Sequence, residues 1–211
     1  MTAVIIAIDG PAGAGKSTVG RAVARRLGLQ YLDTGAMYRA VAFAALRRGV
    51  SMTDEAAVAE LARAMDLSVS EDGVFVDGVE ATTEIRTREV TEAVSAVASN
   101  TPVRDELRSR QRQWADERGG GVIEGRDIGT VVFPDATLKL YVTASPRTRA
   151  ERRVGEIGGD IDEVAASIAE RDRRDMTRVD GPLRAADGAA VVDTTGLTVD
   201  EVVAEIVALL P

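Results

Sequence analysis

The segment Gly10-Pro11-Ala12-Gly13-Ala14-Gly15-Lys16-Ser17 constrains the fold of this chain more than any other. It matches G-x-x-x-x-G-K-[ST] at every fixed position. An apolar run, Val4–Ile8, precedes it and reads as a buried strand. A helical pattern from Lys16 to Leu27, which Gly28 can end, follows it. A strand, a glycine-rich turn and a helix in that order aim successive backbone N–H groups, and the positive end of the helix, at one point. That arrangement suits phosphate oxygens. Lys16 is placed for the β- and γ-phosphates of a nucleoside triphosphate and the Ser17 hydroxyl for Mg²⁺, with Thr18 closing the loop. The chain holds only two lysines, Lys16 and Lys139, and one of them falls on the motif position. A glycine-rich turn that matched by accident would have no reason to place it there.

Further strand-like runs occur at Leu29–Leu32, Val122–Ile123, Thr137–Val142 and Ala189–Val192. Helical patterns separate them over Ala36–Arg48, Asp54–Met65, Arg86–Ser99, Val103–Glu117, Pro146–Val154, Ile161–Asp175 and Val199–Leu210. This alternation predicts an α/β fold, a parallel sheet with helices on both faces. Leu67–Val69 and Val74–Val76 flank Glu71-Asp72-Gly73, a hairpin signal outside the alternation that predicts a small inserted subdomain. Gly155–Gly159 is expected to be a mobile loop between two helices.

Composition narrows the chemistry. With 211 residues, 45% of them hydrophobic and 28% charged, the chain fits one domain with a proper core. The net charge is −8, which argues against a polyanionic nucleic acid as partner, and 3% aromatics are too few for a base-stacking platform. There is no cysteine and no histidine, which removes disulfides, thiolate nucleophiles, Cys/His zinc sites and an imidazole base. Any catalysis must rest on carboxylates, hydroxyls, Lys and Arg. Met1–Asp9 lacks the basic start of a signal peptide and no apolar run reaches membrane-span length, so a soluble, cytoplasmic protein is expected.

A triphosphate loop serves kinases, GTPase switches, motor or transport ATPases and inert binding modules. The chain's one asparagine, Asn100, is followed by Thr101, so the Asn-Lys-x-Asp guanine reader of a GTPase is missing. Asp193-Thr194-Thr195-Gly196 fits a GTPase Asp-x-x-Gly pattern, but near the C-terminus and with two fixed positions only. Motor ATPases present an apolar strand ending in Asp; Val122–Ile123 running into Glu124 is a weak version of it. Three further clusters carry polar chemistry: Asp33–Arg39, Glu124–Thr130 and Glu170–Arg178. The first two follow predicted strands, where ligand crevices form in parallel sheets, and an Arg beside glycines suits bidentate capture of phosphate. The third reads equally well as a salt-bridged helix face.

Together these residues resemble the bacterial cytidylate kinases. The resemblance rests on the phosphate loop, Asp33-Thr34-Gly35-Ala36-Met37-Tyr38-Arg39, Glu84-Ile85-Arg86-Thr87, the long run Gly125-Arg126-Asp127-Ile128-Gly129-Thr130-Val131-Val132-Phe133-Pro134-Asp135, and Arg171-Asp172-Arg173-Arg174-Asp175. It implies a P-loop nucleoside monophosphate kinase fold with a five-stranded parallel core over residues 1–211. A monophosphate-binding insert is expected over about 36–100 and a short lid over about 150–162. The implied reaction is ATP + CMP → ADP + CDP with dCMP also accepted, Mg²⁺ as cofactor, and a monomer without nucleic-acid or membrane partners.

By the same resemblance, residues Gly10 to Thr18 hold ATP, and Lys16, Arg126, Arg171 and Arg178 act on the transferring phosphates. Asp127, Ser95 and Arg104 contact cytosine. Arg39, Arg126 and Arg178, with Thr34, hold the CMP phosphate, and Arg171 and Asp175 reach the ribose hydroxyls or phosphates. Ser17 and Asp33 serve Mg²⁺. Thr34 stands where the family often has Ser, and which of Arg149, Arg152 and Arg153 meets the transferring phosphate is left open. A kinase preferring UMP or another small metabolite, and a nucleotide sensor without transfer, remain the competing readings.

Overall fold

A computed structural model describes residues 3–210; residues 1, 2 and 211, and so the first positions of Met1–Asp9, lie outside the described residues. The strands are β1 (Val4–Asp9), β2 (Tyr31–Asp33), β3 (Leu67–Ser70), β4 (Gly73–Val76), β5 (Val79–Glu80), β6 (Gly120–Gly125), β7 (Leu138–Thr143) and β8 (Ala190–Asp193). The helices are α1 (Lys16–Leu27), α2 (Thr34–Arg47), α3 (Glu55–Ala64), α4 (Arg88–Ser99), α5 (Thr101–Arg118), α6 (Pro146–Ile157), α7 (Ile161–Thr177) and α8 (Val199–Ala208). The chain forms two compact units: one of residues up to Tyr31 and from Arg118 onward, the other Leu32–Glu117.

The first unit is built on the expected five-stranded sheet, ordered β2-β6-β1-β7-β8, with β1 parallel to β6 and β7, and β7 parallel to β8. Ile6, Ile8, Val122, Leu140, Val142 and Val192 form its dry interior with Val23 of α1 and Ile206 of α8. The register aligns Asp9 with Gly125 and Tyr141, and Thr143 with Asp193. The loops that follow β1, β6, β7 and β8 therefore leave the sheet along one carboxyl edge, where parallel sheets hold ligands.

The second unit holds a three-stranded antiparallel sheet, β3-β4-β5, and α2 to α5. Alanines at 36, 40, 42, 44 and 45 are buried along α2 and let neighbouring backbones approach closely. Arg110 of α5 donates to the carbonyls of Ala62, Arg63 and Met65, at 2.9, 3.1 and 3.1 Å. It closes the end of α3, which stops at an extended Met65 rather than at a glycine.

The structure corrects several boundaries. Leu29 does not begin a strand, because its N–H closes the α1 exit onto Ala24 O beside left-handed Gly28. The expected helix over Arg86–Ser99 is a 3₁₀ turn, Glu84–Arg86, followed by α4. Helix α5 begins at Thr101, two residues before the expected Val103, with Pro102 in its first turn, where a missing N–H costs nothing. A third small strand, β5, follows Asp77-Gly78, a turn signal as good as the one before it. The loop over Gly155–Gly159 is mostly helix: α6 continues to Ile157, since one glycine costs only about 1 kcal/mol in a helix. The unit with the small sheet runs over Leu32–Glu117 and so includes most of α5.

Strand β6 also starts two residues earlier than its apolar pair suggests. Gly120 has φ +113°, and a Cβ there would meet Val4 O at 2.2 Å on the neighbouring central strand. Gly120→Ala should therefore lower the unfolding free energy by about 2–3 kcal/mol, read from urea denaturation, although it leaves every polar side chain in place.

Candidate active site

The loop Gly10–Ser17 joins β1 to α1 and buries its lysine: Lys16 Nζ donates to Pro11 O at 2.7 Å. Burial, with the neighbouring Arg126 charge second, pushes the Lys16 ammonium down to about 7. An anionic phosphate beside it would favour the charged form again. Ser17 Oγ donates to Glu124 Oε1 at 2.6 Å, and Glu124 is buried near the end of β6. A hydroxyl and a carboxylate are the hard oxygen donors that suit Mg²⁺, so this pair fits the expected cation. The sequence signal at Glu124, weak in isolation, thus marks an acid that meets the phosphate loop.

Four of the expected residues gather in the same unit around one carboxylate. Asp175 Oδ2 accepts from Arg126 Nε at 2.9 Å, and Asp175 Oδ1 lies 3.6 Å from Arg178 Nη1. Arg178 Nη2 stands 3.5 Å from Asp127 Oδ1, so one guanidinium faces both acids. Burial pushes the Asp175 carboxyl up, but Arg126, Arg171 and Arg178 overcome it and hold the group below its usual range. Burial, then the charge of Arg126, pulls the Arg171 guanidinium down to about 10. Packed guanidiniums of this kind are an environment short of negative charge.

Asp9, the last residue of β1, was not among the sequence candidates. Its two oxygens accept the N–H groups of Ile128 and Gly129, each at 2.8 Å. These open a π-helical turn, Ile128–Val132, immediately after Arg126 and Asp127. One buried side chain so links the root of the phosphate loop to the loop carrying Arg126. Arg149 and Arg152 of α6 also reach the phosphate loop region. Arg149 Nη1 donates to Ala12 O at 3.0 Å, whereas Arg152 donates to Thr194 Oγ1 and O, both at 2.9 Å. Arg153 instead pairs with Glu156 at 2.8 Å.

The remaining candidates lie in the second unit. Asp33 caps α2 by accepting from Ala36 N at 3.0 Å, with Arg86 Nη2 at 3.5 Å, so its carboxylate has a structural task. Thr34 is buried in the first turn of α2. Arg39 Nη1 donates to Thr91 Oγ1 at 2.8 Å. Arg104 is 1% exposed, donates to Ala98 O at 3.0 Å and lies 5.6 Å from the Tyr38 ring centre. Ser95 is half-buried on α4, one turn from Thr91.

A strand–loop–helix phosphate cradle, an acid on the loop's serine and clustered arginines on one sheet edge define a P-loop kinase. A shikimate kinase from Bacteroides thetaiotaomicron shares the fold, with a TM-score of 0.51 at 14% identity over 98% of this chain and 97% of its own. The family model for cytidylate kinase matches residues 6–211, and the chain belongs to the cytidylate kinase family. A cytidylate kinase of Mycobacterium leprae is 47% identical over 100% of this chain and 96% of its own length. A bifunctional pantoate ligase/cytidylate kinase of Trichormus variabilis is 48% identical over 96% of this chain, which spans 40% of that longer protein.

Asp9 supplies a pH signature. Burial, opposed by its two backbone hydrogen bonds, raises its carboxyl from 3.8 to about 6. The folded state then binds this proton more tightly than the unfolded state. Its contribution to stability is complete below pH 4 and is lost as pH rises through 6, by up to about 3 kcal/mol. Asp9→Asn should remove that slope when unfolding free energies of the two proteins are compared between pH 4 and 7.

Proposed function

We propose that this protein transfers the γ-phosphoryl group of ATP to CMP, and to dCMP, by direct in-line displacement. It acts as a cytoplasmic monomer where these nucleotides are made and used. The observation that carries the reading is the cluster of Arg126, Arg171 and Arg178 around Asp175, in the same unit as the buried Lys16. Family membership and the absence of any histidine or cysteine agree with it.

The nucleophile is an oxygen of the CMP phosphate. Its second pKa is about 6, so at neutral pH no side chain need take a proton. The oxygen forms a bond to the γ-phosphorus as the bond to the β-γ bridging oxygen of ATP breaks, and ADP leaves with that oxygen. Catalysis is then alignment and charge neutralisation. Lys16 supplies charge to the β- and γ-phosphates as Pro11 O gives up its hydrogen bond. Arg126 and Arg178 hold the CMP phosphate and Arg171 the reacting region, with Asp175 keeping the three side chains in place until phosphate arrives and then meeting the ribose. Thr34 and Arg39, by the same family resemblance, add contacts to the CMP phosphate. Mg²⁺, held through Ser17 with Glu124 and with Asp33 assisting, would neutralise charge on the triphosphate.

Cytosine selection is assigned to Asp127, with Ser95 and Arg104. A carboxylate only accepts hydrogen bonds, so it suits the N4 amino group of cytosine and opposes the O4 carbonyl of uracil. The test is ADP release with CMP, dCMP, UMP and AMP side by side. Turnover with CMP and dCMP well above UMP and AMP is expected; equal use of UMP, or release with none, would overturn the reading. Lys16→Ala should lower kcat by about two orders of magnitude or more.

Base reader and phosphate holder separate by variant. Asp127→Asn should reduce the kcat/KM preference for CMP over UMP by about 5- to 150-fold, the worth of one mismatched buried polar contact. Arg126→Ala should weaken both acceptors together, because a phosphate carries no base information.

A further inference from the structure

We propose that Asp172 is a positioning residue for phosphoryl transfer, one that presets the phosphate loop and the Arg149 guanidinium for the incoming triphosphate. Resting on the reading of this unit as the ATP site, the proposal assigns a task to a side chain the transfer mechanism above does not use.

Asp172 is on α7 and 4% exposed. A carboxylate so buried is costly unless both oxygens are matched. Here both are. Oδ1 accepts the backbone N–H of Ala12 at 2.9 Å, and Oδ2 accepts Arg149 Nη1 in an ion pair. The same Nη1 donates to Ala12 O. Asp172, Arg149 and the Ala12 residue thus form a closed ring that binds both the N–H and the C=O of one phosphate-loop residue.

The next residue shows how tight the ring is. Gly13 has φ +73°, and a Cβ there would stand 2.9 Å from the Arg149 carbonyl oxygen. The backbone of α6 lies directly on the loop at this point, and a left-handed glycine admits it. Two helices, α6 and α7, therefore grip the loop from residues distant in sequence.

A negative carboxylate beside a triphosphate site would ordinarily repel the ligand. Arg149 neutralises it, and the ring fixes the loop while leaving the N–H groups from Gly13 onward for phosphate. A loop ordered before the ligand arrives loses less conformational freedom on binding, which is the source of its effect on affinity. This effect falls on ATP. The acceptor-holding residues Arg126, Asp127 and Arg178 are not members of the ring.

The experiment compares wild type, Asp172→Asn, Arg149→Ala and Asp172→Asn/Arg149→Ala. ATP binding is measured by calorimetry without acceptor, KM for ATP and for CMP in turnover, and melting temperature alongside. Asp172→Asn keeps the shape but cannot accept from Ala12 N–H and Arg149 together. It is expected to weaken ATP binding, and raise KM for ATP, about tenfold or more, the value of one charge-assisted hydrogen bond. KM for CMP should stay within about twofold of wild type. The double variant should be no worse for ATP than the more affected single variant, because members of one ring act as a unit.

Unchanged ATP affinity with a lowered melting temperature would overturn the proposal and make Asp172 a structural staple. So would additive losses, or equal losses for ATP and CMP. If Asp172→Asn does not fold, Arg149→Ala tests the ring from its other side by the same ATP-versus-CMP split. Should the wild type bind ATP yet phosphorylate no monophosphate, the proposed function fails, and the calorimetric comparison still decides the role of Asp172.

Discussion

The arginine and lysine charges beneath the phosphate loop would repel one another in a half-dry sheet edge, and the first unit is organised around preventing that. Asp175 stands between Arg126 and Arg178, Asp172 faces Arg149, and Glu124 moderates Lys16. Removing one member of such a pair leaves a buried charge uncompensated. Each carboxylate therefore holds a cationic side chain at a fixed place along this edge of the sheet.

The sheet makes this concentration of charge tolerable. Parallel pairing of β1 with β6 and β7 sends Asp9, Arg126 and the loop after Thr143 out along the same edge. The apolar interior of Ile6, Ile8, Val122, Leu140 and Val142 ends just below them. Glycine at Gly120 lets β6 approach β1 closely at Val4, and Glu124 towards the other end of β6 meets Ser17. Packing and chemistry are thus set by one register.

The phosphate loop, the alternating strands and helices, and the hairpin at Glu71–Gly73 were legible because each is a local pattern with a local cause. Helix α1 agrees with its expected limits for that reason: Lys16 follows the loop and Gly28 ends it. For Asp9, Asp172 and Arg149 the contacts were not legible. Their partners lie 119, 160 and 137 positions away, at Ile128, at Ala12 and again at Ala12. An acid at a strand end or on a charged helix looks the same in sequence whether it faces water or a backbone amide. Glu124 fell between the two cases, visible as a strand-ending acid but without its serine. Asp33 carried two readings in one residue, and local capping geometry is the one the helix start required.

Arg110 illustrates a different kind of economy. Its guanidinium gathers three carbonyls at the end of α3, two residues before β3 begins at Leu67. On the same helix, six residues earlier, Arg104 is buried against Tyr38. The small sheet and the buried arginine therefore share one datum: a survey line along α5 fixes both. Drift in the α3 terminus would be registered less than two helical turns away, at the side chain assigned to the base.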